Sequence, residues 1–177
     1  NAGVLFAASA GNDSVNLDQD DNFPAEYDLE NVISVSASDH NDNLAWFSNF
    51  GANSVDLAAP GKSILSTVLN GNYGYKDGTS MAAPYVAGLA SLLLARNPSL
   101  SISHLRTALL SGVDVKGSLA GKIITNGRLN ANRSLEKLLT GIDSTSFLLY
   151  RQSEPFSSVS GLEPMAVIAQ SSARSWE

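Results

Sequence analysis

The sequence predicts an α/β domain, with strands layered against a buried helix, and three observations predict it. Residues 4–10 (Val-Leu-Phe-Ala-Ala-Ser-Ala) form a short apolar run that stops at Gly11-Asn12, the pattern of a strand covered on both faces. Residues 31–37 (Asn-Val-Ile-Ser-Val-Ser-Ala) alternate and are β-branched, which reads as a second strand. Residues 80–96 are Ala- and Leu-rich and almost uncharged, which predicts a helix buried nearly all round.

The elements follow in order. Residues 12–22 are Asn, Asp, Ser and Gln with little apolar content, so the first strand leads into a surface loop. Further short strands are expected over 54–58 and 64–68, parted by Pro60-Gly61. Thr79 and Ser80 suit the start of the apolar helix, Pro84 is expected within its first turn, and Asn97-Pro98 closes it. A second, amphipathic helix runs from Ser101 or Ser103 to Leu110, with Gly112 as terminator, and residues 127–139 hold a third. Beyond Thr140 the chain turns Ser-rich, with Pro155 and Pro164 and no clear period, and 140–177 reads as a linker or the start of a further region. Three or four short strands make a small sheet for so apolar a helix, which suggests that chain is missing.

Composition excludes several classes. Ten of the 17 acids and none of the 11 bases fall within residues 1–61. The bases are scattered singly from Lys62 onward, so no cationic stripe exists to neutralise phosphates, and nucleic-acid binding is not expected. The acidic third would attract cations. With no cysteine among 177 residues, thiolate metal sites and a disulfide framework are excluded. Apolar runs fall short of the roughly 18 residues that a membrane span needs.

The sharpest local signal is Asp77-Gly78-Thr79-Ser80-Met81-Ala82-Ala83-Pro84. A serine hydroxyl is a weak nucleophile that needs a base beside it and donors for the oxyanion its attack creates. The start of a buried helix supplies partial positive charge to Ser80, and Gly78 allows close approach. Taken alone, Gly-Thr-Ser fits a helix cap better than a nucleophile. The second signal is Ser9-Ala10-Gly11-Asn12, a strand delivering an Asn at its end. Such an Asn can donate to an oxyanion, though by itself it is equally a turn residue.

Read together, these segments resemble the C-terminal half of the catalytic domain of a subtilisin-like serine peptidase, a subtilase. The matching pieces are Ala-Ser-Ala-Gly-Asn at 8–12, Phe-Pro-Ala at 23–25, Asn-Val-Ile-Ser-Val-Ser-Ala-Ser-Asp at 31–39, Phe-Ser-Asn-Phe-Gly at 47–51, Val-Asp-Leu-Ala-Ala-Pro-Gly at 55–61, Ile-Leu-Ser-Thr at 64–67 and Gly-Thr-Ser-Met-Ala-Ala-Pro-Tyr-Val-Ala-Gly at 78–88. They cover residues 1–139 in the family's order.

The resemblance implies a three-layer fold with a mostly parallel sheet, and a buried helix starting at the nucleophile. It implies an endopeptidase acting through an acyl-enzyme on polypeptide substrates, secreted or in the cell envelope. Ser80 would be the nucleophile and Asn12 the oxyanion donor, with the Ser80 N–H as its partner. Ser9, Ala10 and Gly11 would line the substrate pocket, with Asn22 near its base. Tyr85 stands where the family usually has a non-catalytic His. No cofactor is implied for the chemistry. A structural Ca²⁺ or Na⁺ is implied at Asp56, with backbone carbonyls near Ala25, Tyr27 and Val32; hard oxygen ligands suit such ions. The alternating acids of residues 16–20 lack the Gly and distal Glu of a calcium loop, and read chiefly as a solvated stretch.

The family mechanism also needs an Asp and a His, and the resemblance places both on chain upstream of residue 1, in the missing N-terminal half of the domain. His40, in a polar turn, and His104, in the amphipathic helix, read as ordinary surface or structural histidines. An α/β-hydrolase is excluded, since Ala82 replaces the second Gly of Gly-x-Ser-x-Gly and no acid lies between Ser80 and His104. The alternative to an enzyme is a non-catalytic pseudoprotease or a cation- or partner-binding module. Retention of Ser80, Asn12 and Gly78 favours the peptidase.

Overall fold

The computed structural model describes residues 3–140, together with the backbone of 167–170. Five parallel strands and one antiparallel strand form the main sheet, in the spatial order β6-β7-β3-β2-β1-β8. These are β1 (Leu5–Ser9), β2 (Val32–Ser38), β3 (Leu57–Pro60), β6 (Asp114–Val115), β7 (Gly127–Arg128) and β8 (Val167–Gln170). A separate antiparallel pair joins β4 (Ile64–Val68) to β5 (Asn72–Lys76). Three helices follow: α1 (Thr79–Arg96), α2 (Ile102–Ser111) and α3 (Ala131–Thr140).

Side chains alternate across a strand, and here both sets are buried. Leu5 and Ala7 of β1, Ile33, Val35 and Ala37 of β2, and Leu57 and Ala59 of β3 pack with Val86, Leu89, Ala90 and Leu93 of α1 and with Leu105 and Leu109 of α2. The intervening residues face the other way. Ala10 and Ala58 meet Leu17, Val55, Leu119 and Ile123, while Phe6, Ala8 and Val32 gather around Ala25. Helices thus cover one face of the sheet, and loops with a short 3₁₀ turn (Gly117–Leu119) cover the other among the described residues. This explains why the strands read as continuous apolar runs.

Several expectations shift. The strand expected over 54–58 is β3, three residues later, because Val55 and Asp56 belong to its approach. α1 is buried on one side only: Pro84, Tyr85, Gly88, Ser91, Leu92 and Ala95 are exposed, although the helix is apolar nearly all round. Pro84 is the sixth helical residue, not part of the first turn. Its missing N–H therefore leaves the Ser80 carbonyl without its i+4 partner. α2 begins as expected, with Ser101 Oγ accepting the His104 N–H at 3.2 Å, and ends at Gly112. α3 starts at Ala131, four residues later than expected, because Asn130 caps it through Arg133 N–H at 3.1 Å. Of the stretch 140–177, read as a linker or the start of a further region, residues 167–170 form β8 beside β1, and 141–166 and 171–177 lie outside the described residues.

Surface charge ties the far end of the sheet together. Asp42 pairs with Lys116 and Arg128, both at 2.7 Å. Asp114 pairs with Arg128 at 3.0 Å and Arg133 at 3.2 Å. The hydrogen bond from Asn130, outweighing a smaller burial cost, and the neighbouring Arg133, Arg128 and Lys116 charges hold the Asp114 carboxyl below the usual carboxylate range.

Candidate active site

Parallel strands deliver their loops to one end of a sheet, where sites form. β1 leaves its C-terminal end at Ser9 and runs directly into Gly11-Asn12, while β3 ends at Pro60 and Gly61. The Gly61 carbonyl accepts the Gly78 N–H at 2.8 Å, which pins the start of α1 beside the end of β3. Gly78 has φ +150°, a backbone conformation that strains any side chain. This turn brings α1, and Ser80 as its second residue, against the Asn12 loop.

Thr79 makes the connection. Its N–H donates to Asn12 Oδ1 at 2.8 Å, and its hydroxyl donates to the same oxygen at 3.0 Å. The Gly11 N–H in turn donates to Thr79 Oγ1 at 3.1 Å. Because both contacts on Asn12 Oδ1 come from donors, the amide orientation is determined: the NH₂ is the other atom, and it is left to donate elsewhere. It lies near Gly78, where a built Cβ would stand 3.6 Å from Asn12 Nδ2. The Ser80 N–H is in the first helical turn and has no intrahelical acceptor. Ser80 is half-buried and borders a groove of about 650 Å³ with Ile64, Leu65, Met81, Tyr85 and Leu92.

The four residues expected to shape the substrate pocket are adjacent. Ser9, Ala10 and Gly11 are buried. Asn22 reaches them, with Nδ2 donating to the Ala10 carbonyl at 2.7 Å. Gly11 has φ +104°, and a Cβ there would stand 2.3 Å from Asn22 Nδ2 and 2.4 Å from Asn49 Nδ2, so the wall requires glycine twice over. The Asn22 N–H donates to Glu26 Oε2. Burial pushes the Glu26 carboxyl up, that bond opposes it, and Asp21, Asp18 and Asp20 add to the rise.

Asn49 was not singled out by sequence reasoning. It is fully buried, and its Oδ1 accepts from Asp13 N–H at 2.8 Å and Val15 N–H at 3.2 Å. Its Nδ2 donates to Ala10 O at 2.9 Å, and its own N–H to Gly11 O at 3.0 Å. One side chain therefore holds the loop on both sides of Asn12. The available signal was a lone amide between Phe47 and Phe50 in the Phe-Ser-Asn-Phe-Gly segment.

At Asp56, where a structural cation is expected, the chain also supplies a cation of its own. Asp56 is buried, with Oδ1 2.5 Å from Arg106 Nη2 and Oδ2 accepting the Ser34 N–H at 2.8 Å. The Arg106 Nη1 donates to the Val32 carbonyl. A guanidinium from α2 thus contacts two of the four groups expected as cation ligands. Ala25 is buried nearby in the packing around Val32, and the Tyr27 carbonyl accepts the Leu29 N–H at 2.8 Å. Among the described residues no three His, Asp or Glu side chains gather where a metal could sit. In the 16–20 stretch, Asp18 accepts from Asn53 at 3.0 Å and Ser54 at 2.8 Å. These bonds outweigh the cost of its partial burial and lower its carboxyl.

Neither histidine lines the groove. His40 is exposed in its turn, and His104 Nδ1 lies 2.9 Å from Ser101 Oγ at the start of α2. Among the described residues no helix is long and apolar enough to cross a membrane.

The family model described as Subtilase family (peptidase S8) matches residues 1–135. Subtilisin DY of Bacillus licheniformis is 43% identical over 111 residues, covering 62% of this chain and 39% of its own length. Thermitase of Thermoactinomyces vulgaris is 40% identical over 136 residues, covering 77% of this chain and 46% of its own. Among solved structures, one described as the structural basis of subtilase cytotoxin SubAB assembly superposes with a TM-score of 0.67 at 26% identity, covering 84% of this chain and 52% of that one. The prenylagaramide maturation protease PagA gives 0.64 at 30% identity, covering 77% and 51%. The chain spans less than half the length of these two curated relatives. With the family model matching about three quarters of its residues, the chain belongs to the subtilase family.

Proposed function

We propose that this chain is the nucleophile-bearing part of a serine endopeptidase, with the catalytic Asp and His supplied by chain upstream of residue 1. The observation that carries the reading is the Thr79 bridge, which turns the Asn12 amide so that its NH₂ is free beside the N-terminus of the helix bearing Ser80. In the proposed reaction Ser80 Oγ attacks the scissile carbonyl and loses its proton to the His. The carbonyl oxygen becomes an oxyanion between Asn12 Nδ2 and the Ser80 N–H, the amine leaves, and water then releases the acyl group. Helix α1 adds positive potential at that oxygen. Loss of such an Asn donor costs about 10²–10³ in kcat, a figure that comes from subtilisin itself, a member of this family. The substrate's side chain before the scissile bond would lie along Ser9–Gly11, with Asn22 at its base.

Secretion or an envelope location is the corresponding proposal for where the parent protein works, by likeness to its bacterial relatives. A structural Ca²⁺ or Na⁺ near Asp56 would have to share that carboxylate with Arg106. The test is labelling with a fluorophosphonate probe. The full-length parent is expected to react at Ser80 and the 177-residue chain far more weakly, since no histidine lines the groove. Equal labelling of both would refute the assignment of the base to upstream chain, and no labelling of Ser80 in the parent would refute the nucleophile.

A further inference from the structure

The β4–β5 hairpin has two unlike faces. Residues directly opposite each other in an antiparallel pair share a face, and the register sets Leu65 against Tyr75 and Thr67 against Tyr73, one pair beside the next. On the other face Ile64, Val68 and Gly74 are half-buried. The outer face is open to solvent: Leu65 is 55% exposed, Tyr75 69% and Tyr73 74%, and Leu69 at the turn reaches 88%. Large apolar side chains scattered singly over a surface are ordinary. Four gathered on one short ribbon mark a surface that a partner covers.

The position of the hairpin identifies that partner. Leu65 also lines the groove that Ser80 borders, together with Ile64, Ser66 and Met81. Through Leu65 the outer face therefore continues the groove away from Ser80. Ser9, Ala10, Gly11 and Asn22 do not line this groove, so it is separate from the pocket for the residue before the scissile bond. Residues 57–76 contain no Asp or Glu, and covering this face buries no carboxylate. Their two charges, Lys62 and Lys76, flank the base of the hairpin, where the ammonium groups can stay in water. We propose that the outer face of the hairpin is a second binding site for the polypeptide substrate, taking an apolar stretch of its leaving portion several residues beyond the scissile bond. Leu65 and Leu69 supply apolar area there, and Tyr73 and Tyr75 supply broad rings that lose little rotamer freedom on contact. This inference rests on the peptidase reading and adds to it the kind of substrate preferred.

The test uses the full-length parent and two quenched fluorogenic peptides with identical residues around the scissile bond. One carries Leu-Val-Phe-Leu about six residues beyond the bond, a reach set by a strand rise of roughly 3.3 Å per residue. The other carries Ser-Gly-Ser-Gly in its place. In the parent, kcat/KM is expected to be at least about tenfold higher for the apolar tail, chiefly through KM. Leu69→Ser with Tyr73→Ser, and separately Tyr75→Ser, are each expected to bring that ratio down, the pair to within about twofold of unity. The ratio compares two substrates on one enzyme, so a general loss of activity or folding cancels. Equal rates for the two peptides in the parent overturn the inference and leave the peptidase reading standing, as does a preference that survives both variants. Cleavage of neither peptide overturns the peptidase reading and this inference with it.

Discussion

Thr79 and Asn49 support the site without being part of the reaction. Thr79→Val keeps the backbone donor to Asn12 and removes the hydroxyl that bonds both Asn12 and Gly11. In the active parent this is expected to lower kcat roughly five- to tenfold, with a smaller change in KM, because a hydrogen bond of this kind contributes about 1 kcal/mol. Steady-state kinetics separates the two parameters. Asn49→Ala strips partners from Asp13, Val15 and Ala10 inside the protein, and is expected to cost about 2–4 kcal/mol in urea unfolding. The segments bearing Ser80 and Asn12 stand out in the sequence because each is contiguous, and the structure brings the two together. Thr79, one residue from Ser80, was read only as part of a helix start. Its role depends on Asn12, which is 67 positions away, and no local pattern encodes that distance. Asn49 and Arg106 went unnoticed for the same reason.

Elements were legible where they are long and periodic. β1, β2, β4, α1 and α2 follow from apolar runs, alternation and caps. β5 was missed because Asn-Tyr-Gly-Tyr-Lys carries a glycine and polar ends, and its strand character comes from pairing with β4. β6 and β7, with two residues each, lie below any sequence period. The joint between α2 and the sheet is ionic. Arg106→Met or Asp56→Ala alone leaves the other charge buried, and each is expected to cost about 3–5 kcal/mol. The double variant is expected to cost clearly less than the sum, which a double-mutant cycle of denaturation midpoints measures. An additive result would show that the pair contributes no coupling. If a cation shares the carboxylate, Arg106→Met is also expected to strengthen stabilisation by added Ca²⁺, read as a larger rise in melting temperature.

For the molecule as a whole, acid stability follows from three hydrogen-bonded carboxyls: Asp114 at the far end of the sheet, Asp18 in the loop after β1 and Asp39 just after β2. A carboxyl whose folded pKa is depressed adds stability that is complete above its unfolded value and is lost as pH falls through the folded one. Asp114, Asp18 and Asp39 are all lowered, so they contribute in full at neutral pH and lose that contribution progressively as pH falls below about 4. Asp114→Asn is expected to flatten the acid limb of a stability-versus-pH curve and to lower stability at neutral pH, where the Arg128 and Arg133 pairings are lost. An unchanged acid limb would show that these ion pairs do not couple to folding. The Thr79 bridge has a further consequence, in time rather than in space. The contacts that orient Asn12 join residues 67 and 68 positions apart, and the loop-closure cost of such pairs has to be met before they can form. Short-range helices and the β4–β5 hairpin can assemble early, but the Asn12 amide is oriented only once β1, β3 and α1 have docked. The arrangement around Asn12 and Ser80 is thus expected to come into being among the last parts of the fold.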